Sequence, residues 1–123
     1  MGKDIELLNN KQFGYLGEKI AKFYLQLNQF QILKCNFKCK FGEIDIIAQK
    51  GKYIHFIEVK TRKNKNIEAR ESIDYIKAEH IWKCAEFYLY KNKLENGIQF
   101  DAVEIYIQEK SLEINYIPQI IEK

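Results

Sequence analysis

A chain of 123 residues is the size of one ordinary domain. Hydrophobic residues make up 46% and charged residues 30%, with a single proline, which excludes a disordered or low-complexity chain and permits a core without disulfides. The 20 basic and 17 acidic residues leave a net charge of +3, too small to mark a nucleic-acid binder by itself.

The basic side is nearly all lysine, so any nucleic-acid partner is expected to be held by backbone and shape rather than by base reading. Cys35, Cys39 and Cys84 lack paired zinc-site spacing and read as reduced, partly buried thiols. The start, MGKDIELLNN, has no apolar stretch behind basic residues, and no run approaches the roughly 18 apolar residues that cross a bilayer. The expectation is a cytoplasmic protein with no membrane partner, folded as one domain over 1–123 with its core at about 12–117.

From Lys11 to Asn28, Phe13, Leu16, Ile20, Phe23, Tyr24 and Leu27 recur at helical spacing. Gly14, Gly17 and Ala21 form an adjoining stripe of small residues that lets this helix approach a sheet. An irregular strand is expected over Gln31–Lys38, followed by two clearer ones, Glu43–Gln49 and Tyr53–Arg62, rich in β-branched and aromatic residues. Lys50-Gly51-Lys52 supplies the glycine of a tight hairpin. After a polar loop at Lys63–Asn66, a second helical stripe runs between Ala69 and Asn92 through Ile73, Ile76, Ile81, Cys84, Phe87 and Tyr88, and Asn96-Gly97 ends it. Gln99–Gln108 and Leu112–Ile117 read as a last strand pair around Glu109-Lys110-Ser111. This order predicts an α/β domain with a mixed central sheet flanked by helices.

The hairpin carries the chemistry. Alternation along a strand puts Glu43, Asp45 and Ile47 on one face, and Ile54, Phe56, Glu58 and Lys60 on one face of the next strand. A Lys50-Gly51 turn sets Asp45 opposite Phe56; a Gly51-Lys52 turn sets it opposite Glu58. Either way the two acids share a face, within reach of one ion. Opposed carboxylates destabilise a sheet unless a cation neutralises them, and few hard oxygen ligands suit Mg²⁺ or Mn²⁺. Lys60 points to the same side, placed to polarise an attacking water and to stabilise charge on a phosphate. Taken alone, Glu58-Val59-Lys60 is a weak motif, common on solvent-exposed strands. Core or boundary packing is the expected role of His55 and His80, and Asp101 has no assigned chemistry.

Several stretches together resemble the YraN-like family of bacterial proteins, itself similar to archaeal Holliday junction resolvases and other PD-(D/E)xK nucleases. They are G-Y-L-G-E (14–18) with A-x-x-Y-L (21–25), N-F-K-C-K-F-G-E-I-D-I-I-A (36–48), F-I-E-V-K-T-R (56–62), Lys77 and F-D-A-V-E-I (100–105). The resemblance runs from about residue 12 to 107 and implies a restriction-endonuclease-like fold. It implies Asp45 as the metal-binding aspartate, Glu58 as the second acidic ligand, Lys60 as the catalytic lysine and Glu18 as a supplementary acid. The plainer reading of Glu18 is a first-turn acid favoured by the helix dipole. Glu43 belongs to the same pattern as a further candidate ligand, and the main-chain carbonyl of Val59 is expected as a third. Arg62, Lys63, Lys65 and Lys77 are candidate contacts to a DNA backbone.

The function so implied is a Mg²⁺- or Mn²⁺-dependent DNA endonuclease acting on branched or nicked DNA, needing no small-molecule cofactor and working as a homodimer. The alternatives are a catalytically silent nuclease-fold DNA-binding module and a protein-interaction adaptor.

Overall fold

The computed structural model describes residues 7–63 and 75–121, with the side chains at 75 and 76 excepted. The elements in order are α1 (Asn10–Leu27), β1 (Gln31–Cys39), β2 (Gly42–Lys50), β3 (Tyr53–Arg62), α2 (Tyr75–Lys91), β4 (Gly97–Gln108) and β5 (Ser111–Ile117). The five strands form one sheet in the order β1-β2-β3-β4-β5. β3 and β4 run parallel, with α2 as the crossover between them, and the other neighbours are antiparallel. The mixed α/β sheet expected from the pattern is the one found.

Each face of the sheet is covered by one helix. Phe13, Ala21 and Leu25 of α1 pack with Phe30 against Ile46, Ala48, Ile57, Val103, Ile105 and Ile107. Cys84, Ala85 and Tyr88 of α2 pack against Ile47, Ile54, Phe56 and Phe100 on the other face. α1 begins in a capping box: the Asn9 side chain accepts from the Gln12 N–H at 2.8 Å, and the Gln12 side chain accepts from the Asn9 N–H at 3.0 Å. No acid lies in the first turn of α1, so the dipole reading of Glu18 does not hold: that residue sits mid-helix. The onset of the second helix before Tyr75, including Ala69 and Ile73, lies outside the described residues.

Of the three small residues expected to bring α1 onto the sheet, Ala21 is buried in the core and the two glycines behave differently. A Cβ at Gly14 would meet nothing within 4 Å, so Gly14 makes no close approach. A Cβ at Gly17 would fall on Thr61 Oγ1 and within 2.8 Å of the Thr61 Cβ and Cγ2. Gly17 is therefore the contact that sets the distance between α1 and β3, and with it the position of Glu18. Gly17→Ala is expected to lower stability by about 1–3 kcal/mol through overpacking, despite the better helix propensity of alanine. Adding Thr61→Ala should restore part of it in urea denaturation. If Gly17→Ala alone is as stable as the parent, the close approach is not what positions α1.

The cysteines are free thiols, but the pairing that matters was not visible in their spacing. Cys39 Sγ and Cys84 Sγ lie 2.9 Å apart, joining the end of β1 to α2. Burial first, and then the neighbouring Cys39, push the Cys84 thiol up to about 12, so it stays protonated and packs as a small apolar group.

Candidate active site

The β2–β3 register runs from Lys50–Tyr53 to Ile46–Ile57, so the turn is Gly51-Lys52, with Gly51 at φ +61°. Extended by one rung, this register sets Asp45 opposite Glu58. Of the two turns compatible with the sequence, it is the one that brings the acids directly together.

Strict alternation fails at the neighbouring rung. Asn36 of β1 has φ +54°, a left-handed conformation that asparagine tolerates better than most residues. On one side of it Cys35 pairs with Ile46, and on the other Phe37 pairs with Ile44. Ile46 belongs to the α1 side of the sheet, whereas Phe37 and Ile44 pack on the α2 side with Ile47. The pleat is thus reversed at the rung that carries Asp45. The Asn36 side chain, freed from ordinary strand geometry, hydrogen-bonds the Glu18 carboxylate. Nothing in the hydrophobic pattern signals this; an asparagine inside an apolar strand was the only clue.

Asp45 and Glu58 line a cleft of about 230 Å³ whose apolar wall includes Phe56, Ile81 and Phe100, with Ile120 and Ile121 closing it from the C-terminal segment. Asp45 Oδ2 accepts the Val59 N–H at 2.8 Å, which places the Val59 main chain beside the carboxylate. Burial raises the Asp45 carboxyl to about 6; the Val59 bond opposes this, and the charges of Glu18, Glu58 and Glu43 reinforce it. Glu18 is also held above its ordinary value, by burial and by the charge of Glu43, with the Asn36 bond acting the other way. α1 therefore contributes to the electrostatics of the hairpin acids.

Glu58 divides its two oxygens. Oε1 accepts from Lys60 Nζ at 3.0 Å and from Lys77 Nζ at 2.6 Å. Oε2 is buried and has no hydrogen-bond partner among the described residues. An orphaned carboxylate oxygen in a cleft with a second carboxyl whose ionised form burial disfavours is the local chemistry of a site that gains from a cation. Among the described residues no three His, Cys, Asp or Glu side chains stand together as a closed metal cage. The donors fit an ion that keeps most of its water, as Mg²⁺ does with one or two carboxylates.

The other expected residues distribute as follows. Lys60 registers beside Glu104 of β4, a buried acid whose Oε2 accepts the Tyr106 hydroxyl at 3.1 Å. Lys77 reaches into the cleft from α2 and holds Glu58, a role its place on the helix edge did not reveal. Lys63 turns to an aromatic face: its Nζ lies 5.2 Å from the centroid of Phe13. Arg62 is half-buried at the end of β3, with a buried Nε that meets no partner among the described residues. Lys65 lies outside the described residues. Glu43 stands at the rim, lining both the cleft and a second groove along α1.

His55 and Asp101 form a buried pair that spacing could not suggest, since they are 46 residues apart. The Asp101 carboxylate is fully buried and takes four hydrogen bonds: His55 at 2.6 Å, the Tyr116 hydroxyl, the Gln99 amide at 3.0 Å and the Gln119 N–H at 3.0 Å. Burial pushes its carboxyl up, but the bonds from His55, Tyr116, Gln119 and Gln99 together outweigh this and hold it below the ordinary value. The network ties the C-terminal segment to the sheet, because the next residue, Ile120, donates its N–H to the Phe100 carbonyl at 2.8 Å. Asp101 thus positions the wall of the cleft without touching its acids.

A mixed five-stranded sheet with a helix on each face, bearing two acids and a lysine at the end of a hairpin, is an α/β domain of the restriction-endonuclease-like kind. The chain belongs to the uncharacterised protein family UPF0102, the YraN family, which it matches over residues 17–105. It is 41% identical over 112 residues to a UPF0102 protein of Clostridium beijerinckii, covering 88% of this chain and 91% of that one. A UPF0102 protein of Clostridium kluyveri is 47% identical over 98 residues, 78% of this chain and 80% of its own. One from Campylobacter jejuni subsp. doylei is 48% identical over 90 residues, 73% of this chain and 80% of its own. No helix among the described residues is long and apolar enough to cross a membrane.

Proposed function

We propose that this protein is a Mg²⁺- or Mn²⁺-dependent DNA endonuclease, selective for branched or nicked DNA. The observation that carries the reading is that Glu58, which lines the same cleft as Asp45, has a buried Oε2 with no hydrogen-bond partner among the described residues. Asp45, Glu58 and the Val59 carbonyl would hold the ion, with Glu18 and Glu43 supplying further negative charge. When bound, such an ion acts as a Lewis acid on the phosphodiester and lowers the pKa of water in the site.

The remaining work falls to the chain itself. Lys60 Nζ, already 3.0 Å from Glu58, would hydrogen-bond the attacking water and then face the negative charge that builds on the phosphoryl oxygens as the P–O bond to the leaving strand breaks. Lys77 holds Glu58 from the opposite side and is long enough to shift to a phosphate oxygen once the acid has a cation. The apolar wall of Phe56, Ile81 and Phe100 limits water in the cleft and so strengthens these interactions. A homodimer and a cytoplasmic setting accompany this reading.

A catalytically silent DNA-binding module is the second reading, favoured by one fact: two lysines already neutralise Glu58 Oε1. Calorimetric titration with Mn²⁺ and a cleavage assay on branched DNA, run on the wild type and Lys60→Met, decide between them. The expected result is Mn²⁺ binding in both proteins, with cleavage reduced about 10²–10³-fold in the variant. An absence of Mn²⁺ binding in the wild type, even with DNA present, overturns the nuclease and leaves the binding module.

A further inference from the structure

A groove of about 560 Å³ runs along α1 next to the cleft. Lys11, Tyr15 and Glu18 line it from the helix, and Asn36, Lys38 and Glu43 from the β1–β2 hairpin. Glu43 also lines the cleft, so the two depressions share one wall residue. Tyr15 is 60% exposed and lines the groove. The ammonium of Lys19 lies 5.7 Å from its ring centroid, adding positive charge at one side of the ring. Gly14 lies beside Tyr15 in the groove, and a Cβ there would meet nothing within 4 Å, so the helix leaves open space at that point.

An exposed aromatic ring in a groove lined by Lys11 and Lys38, with Glu18 and Glu43 at the end it shares with the cleft, suits a single strand whose phosphates keep to the lysines. Successive phosphates require positive charge along the track, and an unpaired base offers a free face for stacking. A base inside a duplex is already stacked on both sides and has no face to give. We propose that the groove binds an unpaired stretch of DNA strand, one base stacked on Tyr15 and neighbouring phosphates on Lys11 and Lys38, which leads the adjoining phosphodiester to the cleft. This rests on the nuclease reading for the cleft but not for the groove itself. It makes the preferred substrate one that carries unpaired nucleotides next to the scissile bond, such as a flap or an open junction, rather than an intact duplex.

The test is fluorescence anisotropy with the full chain, in EDTA so that no bond is cut. The probes are a labelled oligothymidine and a blunt duplex of the same length. Tyr15→Ala is expected to weaken oligothymidine binding about tenfold or more, the worth of one base on an aromatic ring, and to leave duplex binding within about twofold. Tyr15→Phe keeps the ring and should bind like the wild type. The Lys11→Ala/Lys38→Ala double variant should flatten the salt dependence, reducing the slope of log affinity against log salt by about 1.4.

Tyr15→Ala with unchanged oligothymidine affinity, or with an equal loss on both probes, overturns the groove. Cleavage with Mn²⁺ by the same proteins keeps the two readings apart. Tyr15-dependent binding without any cleavage by the wild type sinks the nuclease and leaves the groove standing. Cleavage of branched DNA that is indifferent to Tyr15 does the reverse.

Discussion

Asp45→Asn is expected to abolish Mn²⁺ binding and cleavage while making the metal-free protein more stable at neutral pH. The carboxyl is buried, lies among Glu18, Glu58 and Glu43, and is raised to about 6, so the fold disfavours its ionised form. A group raised in this way contributes stability below its unfolded value, near 4, and that contribution is lost as pH rises through 6. Asparagine removes the charge and keeps an oxygen to accept the Val59 N–H. The gain at pH 7.5 in EDTA should be on the order of 1–2 kcal/mol, and it should vanish by pH 4. Added Mn²⁺ should then raise the melting temperature of the wild type and leave the variant unmoved. Urea denaturation at the two pH values, with and without Mn²⁺, reads all of this. A variant less stable than the wild type at pH 7.5 without metal would show that the apo fold already stabilises the Asp45 charge, and the case for a cation would lose its main support.

Asp101→Asn should cost about 2–4 kcal/mol, because it leaves four donors arranged around a group that no longer carries a charge. The direction of its pH dependence is opposite to that of Asp45. Its carboxyl is held below the ordinary value, so its contribution is complete above the unfolded value and is lost as pH falls through the folded one. Wild type should therefore lose stability steeply on acidification below about pH 4, and the variant should start lower and fall less. Since Gln119 and Ile120 hang from this network, the variant should also bind Mn²⁺ more weakly although Asp101 does not reach the acids. Equal stability of the two proteins at pH 7 would show that the network adds no net stability. Unchanged Mn²⁺ affinity in a destabilised variant would separate the cleft from its C-terminal wall.

The two tests also separate two kinds of buried acid. Asp45 sits among like charges and is a cost to the apo fold, as groups arranged for ligand or metal commonly are. Asp101 sits among donors and supports the fold. Their neighbours, rather than residue type or depth, decide which is which.

Local patterns in the chain were enough to place the elements and the central pair of acids. Alternating β-branched and aromatic residues mark β2 and β3, Gly51 marks the turn between them, and an even loop keeps Asp45 and Glu58 on one face whichever of two turns forms. The apolar stripe of α1 and the small residue at Gly17 are likewise local in chain position, and periodicity is a local signal. Tertiary structure decided what depends on groups far apart in the chain. It selected the Gly51-Lys52 turn, paired β3 in parallel with β4, and brought Lys77 onto Glu58 and His55 onto Asp101. It also reversed the pleat at Asn36, where a backbone conformation unfavourable for most residues is held by the strands around it and by the bond to Glu18. Such contacts are fixed by the packing of the whole sheet between two helices, and no window of neighbouring residues carries their signature.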